Sequence, residues 1–479
     1  MLRPITLDEV VEVTGGALVD GPETVGVSGE EAFTSVSTDT RTLTPGALYV
    51  ALKGEKFDGH TFLEQARTAG TLAFVVDRAV GLAGGNPPHV VVVDTTQALG
   101  DLARYVRDTF TGPVIGVTGS VGKTTTKELI AHVLEAKFNV AKSEANHNNE
   151  IGVPQTLFGL TPEHTAAVIE MGMRGPGQIK RLAEIAAPTV GVVTNVGLSH
   201  VELLGSRAEI AKSKGELLEM LPDDTGMAIY PAQDDFADML RARHPGPALS
   251  CSLESTGDIR AVRIERNEKG WKFTVESPFG NATEMFLPSP GRFNILNALF
   301  AVAVGGHLGV PLVEIGERLA SWQAPTMRLE VLTTVKGVSV ISDAYNAAPD
   351  SMAGALEALR ETPVGPKGKR IAVLGEMKEL GRFSEESHAS VGRMAAKIRP
   401  DMLVLVGGDV MGKMAAGAIG MGFNTDNLHR FTTAEQAAAL LPVVVQPGDV
   451  VLVKGSRSVA LERVVEALGA SAPASRIEL

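Results

Sequence analysis

Cysteine is almost absent: Cys251 is the sole one in 479 residues. No intrachain disulfide can form, a reducing compartment fits, and no cysteine-centred constellation surrounds the thiol, so it reads as a small structural residue. Positive charge is scarce too. Forty-four Lys and Arg against 56 Asp and Glu leave a formal net charge of −12. That excludes a general binder of nucleic acid or anionic membrane, which carries a basic footprint. Any anionic ligand must be held by local cations and backbone amides. Long apolar runs are also missing. The first ten residues include Asp8 and Glu9 rather than the apolar stretch of a signal peptide. The nearest approach to a membrane span, 298–313, is shorter than about 20 residues and contains His307, so it reads as a buried core helix. A cytoplasmic protein is expected. Repeats and low-complexity tracts are lacking.

What is present is a hydrophobic fraction of 44%, enough for about three ordinary domains. The chain is organised around residues 114–130. A β-branched apolar run stops at a glycine-rich turn, and a helical pattern starts at Lys123. Strand, anion-binding loop and helix follow: glycines let backbone amides converge on phosphate oxygens, and the helix N-terminus adds partial positive charge. Gly119, Ser120, Val121, Gly122, Lys123, Thr124 and Thr125 form the expected nucleotide cradle, with Lys123 on the β- and γ-phosphates and the Thr124 hydroxyl on Mg²⁺. The strict pattern G-x-x-x-x-G-K-[ST] is not met, since Val117 occupies its first glycine position.

In chain order, residues 1–110 read as a small α/β domain with strands near 47–52, 73–76 and 90–93. Asp39, Arg41 and Asp58 stand beside turns. Residues 111–324 read as a doubly wound, mostly parallel sheet with a strand-rich extension at 223–290, in which Val262, Ile264, Trp271, Phe273 and Val275 alternate with polar residues. Strands at 166–170 and 190–194 place Glu170, Asn195 and His200 at carboxyl ends, where open α/β sheets gather ligands. Glu170, one strand from the loop, suits Mg²⁺, a hard ion that wants oxygen. The segment 207–218 is helical with mixed charge, and on its own Lys212 and Lys214 read as a solvated face. Asn294 and Asn297, three apart at the start of an apolar helix, share a face and read either as capping groups or as readers of a base edge. Residues 325–479 read as a third, Rossmann-like α/β domain with strands at 338–341, 371–374, 403–406 and 450–453, each ending in a polar turn.

Taken together, these motifs resemble the Mur ligase family of cell-wall peptide ligases over nearly the whole chain. The N-terminal signature is similar to Asp39-Thr40-Arg41, Pro45-Gly46 and Asp58-Gly59-His60. The asparagine-rich stretch is similar to Asn146-His147-Asn148-Asn149, the metal-linked acid to Glu170, and the T-N-x-x-x-x-H element to Thr194-Asn195 with His200. The adenine element resembles 291–298, with Phe293 where histidine is usual. The closing G-R has become Met327-Arg328, and the signature D-x-Y-N-A-N-P-x-S-M runs from Asp343 to Met352 with Ala348 in place of asparagine. The run 374–381 with His388 matches the dipeptide-adding branch, and the D-N-P-R motif of the branch adding the third residue is absent.

The resemblance implies ATP-driven amide synthesis, with UDP-MurNAc-tripeptide and D-alanyl-D-alanine as substrates. It implies ATP and Mg²⁺, two ions, as cofactors, and a monomer. It assigns substrate binding to Asp39, Thr40, Arg41, Asp58, Asn146, Asn148, Asn149, Tyr345 and Asn346. Nucleotide contacts are added at Asn294, Asn297, Arg328 and Asp343, and metal contacts at Thr124, Glu170, His200 and Lys214. Lys123, His200 and Lys214 are the catalytic set. The family often carbamoylates a lysine that helps hold the second Mg²⁺; Lys214 is the better match and Lys212 the fallback. Residues 1–110 would bind the UDP-sugar, 111–324 ATP, and 325–479 the incoming dipeptide, with a hinge near 322–327. Two readings compete: a sister Mur or folylpolyglutamate-type ligase with another amino acid substrate, and a P-loop kinase or NTPase. The latter leaves the asparagine stretch, the Asn294/Asn297 element and the third domain idle.

Overall fold

The computed structural model describes residues 1–19, 32–54, 57–82, 87–253 and 256–471. Three main sheets succeed one another along the chain. The first has five strands in the order Ala17–Val19, His89–Val91, Ala73–Val76, Leu48–Val50, Val36–Ser37, parallel except for the first pair. Beside it lies a small antiparallel pair, Ile5–Thr6 with Ala32–Phe33. The second has nine strands. Its parallel part runs Val140–Lys142, Ala166–Glu170, Val114–Thr118, Val190–Val193, Met227–Pro231, Ala248–Ser252, Ile259–Arg266, and Trp271–Ser277 and Gly280–Leu287 continue it antiparallel. The third has seven strands: Leu428–Phe431, Met402–Val406, Arg370–Gly375, Val450–Lys454, Ser339–Asp343, Glu330–Thr334 and Ala470–Ser471, the last two antiparallel additions. An α/β fold class with largely parallel sheets is what the sequence leads one to expect.

The Val114–Thr118 strand is an interior strand of the second sheet, third from the Val140–Lys142 edge and buried on both faces, as a β-branched run in a parallel sheet should be. Val117 is fully buried in that strand, so the sharp turn comes later, at Gly119 and Gly122. Helix Lys123–Leu134 then packs against the apolar helix Asn294–His307, which is buried nearly all round. The expected core helix at 298–313 is in fact two: it stops at His307, and a new helix starts at Leu312 behind Pro311.

One core joins the first two sheets. Leu99, Leu102 and Val106 of helix Thr95–Arg107 share a cluster with Ile179, Leu182 and Ile185 of helix Gln178–Ala186. Arg107 locks the contact, its Nε donating to Ala186 O at 2.7 Å and its Nη2 to Ala187 O at 2.8 Å, at carbonyls that have no partner within their own helix. The two clusters about the third sheet contain no buried residue before Leu329. In the extension, Trp271, Phe273 and Val275 face the core as the alternation predicts, but Val262 and Ile264 are only half-buried. A bulge between Val262 and Glu265, with Arg263 at φ 52°, shifts the phase, and Ala261 and Ile259 take the inward positions.

Candidate active site

The loop after Val114–Thr118 is held by its neighbour strand. Asn195 Oδ1 accepts from Ser120 N–H at 3.1 Å and Val121 N–H at 3.0 Å, and Thr194 Oγ1 donates to Val121 O at 2.6 Å. This closeness requires Gly119: at φ 155°, a Cβ there would lie 1.8 Å from Thr194 Oγ1. Gly122, left-handed at φ 82°, precedes helix Lys123–Leu134, which no side chain caps, so its first amides remain open to an anion. Lys123 Nζ folds back onto Gly119 O at 2.8 Å, and burial pushes its pKa down.

One strand over, Glu170 is buried and divided between two partners: Oε2 accepts from the Thr124 hydroxyl at 2.7 Å and Oε1 from the Asn148 amide at 2.8 Å. Loop, carboxylate and asparagine stretch therefore meet at one point. Asn149 serves the backbone, its Oδ1 accepting from Ile151 N–H and Gly152 N–H at the start of helix Gly152–Phe158, while Asn146 is exposed.

Lys212 and Lys214 are two apart on helix Arg207–Glu219 and so cannot share a face. Lys212 is solvated, 2.6 Å from Glu209. Lys214 overturns the solvated-face reading: it is 1% exposed and has no hydrogen bond or ion pair among the described residues. Burial, with Lys123 adding repulsion, pushes its pKa far down. His200, left-handed at φ 64°, is pushed down to about 4 by burial and by the charges of Lys123, Lys214 and Arg174, and is a neutral imidazole.

Asn294 and Asn297 are buried and bonded to each other. Asn297 Nδ2 donates to Asn294 Oδ1 at 2.7 Å, its Oδ1 accepts from the Thr126 hydroxyl at 3.2 Å, and Asn294 reaches Ser289. They brace the cradle from below, with Asn297 against Gly122. Phe293 lies over Gly354 of helix Pro349–Glu361, on the third sheet's side.

The third sheet presents its strand ends to the same region. Asp343 meets Lys454 Nζ at 2.6 Å, and Lys454, 2% exposed, also donates to Asn346 O at 3.0 Å. Sequence reasoning did not single out Lys454. The signal was its place at the carboxyl end of the strand that pairs in register with Asp343. Arg328 stacks over Tyr345 at 4.1 Å and contributes to the charge around Lys123. Met327 and Leu329 flank it in left-handed conformations, at φ 59° and 54°.

The N-terminal candidates separate. Asp39 is held below the usual carboxylate range by Arg41, which bonds it through side chain and backbone, and Thr40 lies between them. Neighbouring Thr38 accepts from Gln155 at 3.1 Å, which brings this turn to the helix behind the asparagine stretch. Asp58 is already committed, to Arg78 at 2.8 Å and to His60 Nδ1 at 2.6 Å, and caps the turn Gly59–Phe62.

A phosphate cradle, a carboxylate beside it, a buried amine and a second α/β sheet closing the rim define a nucleotide-using ligase architecture. The sequence matches follow the same division: residues 32–107 match the Mur ligase family catalytic domain, 117–305 the Mur ligase middle domain, and 327–457 the Mur ligase glutamate ligase domain. The chain belongs to the Mur ligase family. It is 39% identical to the UDP-N-acetylmuramoyl-tripeptide–D-alanyl-D-alanine ligase of Synechocystis, over 92% of this chain and 93% of that one. In structure it is similar to MurF from Acinetobacter baumannii, with a TM-score of 0.87, 31% identity, and 98% and 99% of the two chains covered. It is also similar to the MurF ligase of Thermotoga maritima in complex with ADP, with a TM-score of 0.80, 30% identity, and 91% and 97% covered. Among the described residues no helix is long and apolar enough to cross a membrane.

Proposed function

We propose that this chain is an ATP-dependent ligase that joins D-alanyl-D-alanine to UDP-MurNAc-tripeptide, completing the pentapeptide precursor of peptidoglycan. The observation that carries the reading is the meeting of Thr124, Glu170 and Asn148 beside Lys123, with Lys214 and His200 alongside. The names of the relatives supply the substrates. Residues 1–110 bind the UDP-sugar, 111–324 the nucleotide and 325–479 the dipeptide, and the segment 322–327 acts as the hinge. A single chain carries every proposed group, so a monomer suffices.

The tripeptide carboxylate attacks the γ-phosphorus, and the bond to the ADP oxygen breaks. The dipeptide amine then attacks the acyl carbon, the bond to phosphate breaks, and amide, phosphate and a proton leave. Bringing a carboxylate to ATP opposes like charges, so the protein's part is positioning and neutralisation. Lys123 and the open amides of 122–125 bind phosphate oxygens, and Arg328 adds positive charge from the third sheet's side.

Glu170 and the Thr124 hydroxyl are hard oxygen donors, and Mg²⁺ is commonly held by one or two carboxylates plus substrate phosphates, so they fit a first ion. His200 is neutral and can donate a lone pair. Among the described residues no three acidic, His or Cys side chains gather; the family resemblance implies a second ion held by Lys214 as a carbamate, an oxygen donor built on a buried amine. Mg²⁺, when bound, supplies charge neutralisation at the phosphates.

The test is ADP release with UDP-MurNAc-tripeptide and D-Ala-D-Ala together and with each omitted. Repeated ADP turnover that depends on both is expected; sustained turnover without the dipeptide, beyond the single round that forms the acyl phosphate, would favour a kinase or NTPase and overturn the reading.

A further inference from the structure

We propose that Asp350 is a positioning residue that ties the seating of the third sheet to the conformation of the turn bearing His200. The idea rests on the ligase reading above only for its kinetic arm.

Three successive amides on the loop before His200 each have their own holder. Val196 N–H donates to Asp234 Oδ2 at 2.8 Å and Gly197 N–H to Ser120 Oγ at 2.9 Å, both within the central body. Leu198 N–H donates to Asp350 Oδ2 at 2.9 Å, and this holder comes from helix Pro349–Glu361 of the third body. Asp350 does not cap its own helix, where Ser351 Oγ takes the Ala348 N–H, and it makes no other hydrogen bond or ion pair among the described residues. In the signature 343–352 it occupies a position where the motif specifies no residue. The approach is close: a Cβ on Gly197 would lie 2.0 Å from the same Oδ2. Only glycine lets that carboxylate reach the amide.

The far side of Leu198 is tied as well, since its carbonyl accepts from Val201 N–H at 3.1 Å, while Leu203 and Leu204 N–H bond His200 O. His200 is thus held left-handed between two fixed turns, a conformation a non-glycine residue keeps only when its surroundings impose it. When the third body is away, Leu198 N–H loses its acceptor and one of those turns loosens. The same body also places Glu379 Oε2 3.8 Å from His200 Nδ1.

Four variants test this: Asp350→Ala, Asp350→Asn, Gly197→Ala and the Gly197→Ala/Asp350→Ala double. The first readout is kcat and KM for ATP. The second is small-angle scattering with a non-hydrolysable ATP analogue, which reports seating whatever the acceptor substrate is. Asp350→Ala is expected to lower kcat about threefold to tenfold, the effect of one solvent-accessible hydrogen bond, with KM for ATP within about twofold, and to compact less on adding the analogue. Asp350→Asn keeps an acceptor oxygen and should recover to within about twofold of the parent protein. Gly197→Ala pushes the carboxylate off the amide and should match Asp350→Ala, and the double should be no worse than either single, because both break one bond. Unchanged kcat and compaction in Asp350→Ala, failure of Asp350→Asn to rescue, or multiplying losses in the double would each overturn the proposal. Absent ligation in the parent protein would sink the substrate assignment instead, and the scattering comparison would still decide the role of Asp350.

Discussion

The Lys214→Met variant keeps the length of the side-chain stem and removes the amine. In the parent protein that amine is buried with no hydrogen-bond partner among the described residues, and Lys123 repels its protonated form. An unpartnered buried polar group costs about 1–3 kcal/mol by mutational measures. Its removal should therefore stabilise the central body by that order. At about 2–4 °C per kcal/mol for a unit of some 200 residues, the unfolding midpoint in metal-free buffer rises by a few degrees. Turnover moves the opposite way. If Lys214 serves as a carbamate, its loss removes charge stabilisation worth about 10²-fold or more in kcat. The assays are thermal unfolding by circular dichroism, coupled ADP release, and ¹³C NMR in labelled bicarbonate, where a carbamate signal of the parent protein is absent from the variant. A lowered midpoint would show that the amine has a partner after all. Turnover within threefold of the parent would refute the catalytic role.

Three more expectations follow from the geometry. Lys123→Ala abolishes ATP-dependent ligation and leaves the circular dichroism spectrum unchanged, and retained turnover would remove the lysine from the phosphate site. Gly119→Ala, with its methyl 1.8 Å from Thr194 Oγ1, should weaken nucleotide affinity at least tenfold by isothermal titration, an estimate that follows from a loop displaced by about an ångström; unaltered affinity would contradict the described loop. His388 accepts from Met377 N–H at 3.0 Å and donates Nδ1–H to Ser384 O, and burial lowers its pKa. Above the ordinary value near 6.5 folded and unfolded states are both neutral there. As pH falls below it the unfolded chain takes up a proton that the fold refuses, so stability falls. His388→Gln should flatten the fall in melting temperature between pH 7 and pH 5.5, and an identical slope would exclude this histidine as its source.

Local chemistry in this chain was legible and spatial pairing was not. The strand, loop and helix around Lys123, and Glu170 at a neighbouring strand end, follow from periodicity and the carboxyl-end rule. On pattern alone Lys214 falls on a solvated face, because a mixed-charge helix does not announce which face a crowded site will claim, and only the family resemblance singles it out. Asn297 turns inward because the helix it starts is buried on every side, so its amide must find partners within the fold. Lys454 could not be paired with Asp343 before strand order was known, since 111 residues separate them. Two strands lack the apolar run that marks their neighbours: Glu330–Thr334 alternates exposed and buried residues, and Leu428–Phe431 is four residues long and mostly half-exposed. Val262 and Ile264 lost their phase to a bulge, which alternation alone does not reveal.

Arg107 finally bears on how the molecule can be taken apart. Its guanidinium completes the end of a helix that begins some 70 residues later, and the apolar cluster around it runs without a break from Ile5 to Leu240. A fragment ending at residue 110 would uncover its share of that cluster, and a fragment starting at 111 would leave the carbonyls of Ala186 and Ala187 bare. A cut at 324 crosses no such cluster of buried residues. The three sheets therefore make two separable modules, and fragment-complementation experiments should divide the chain after the second sheet, not after the first.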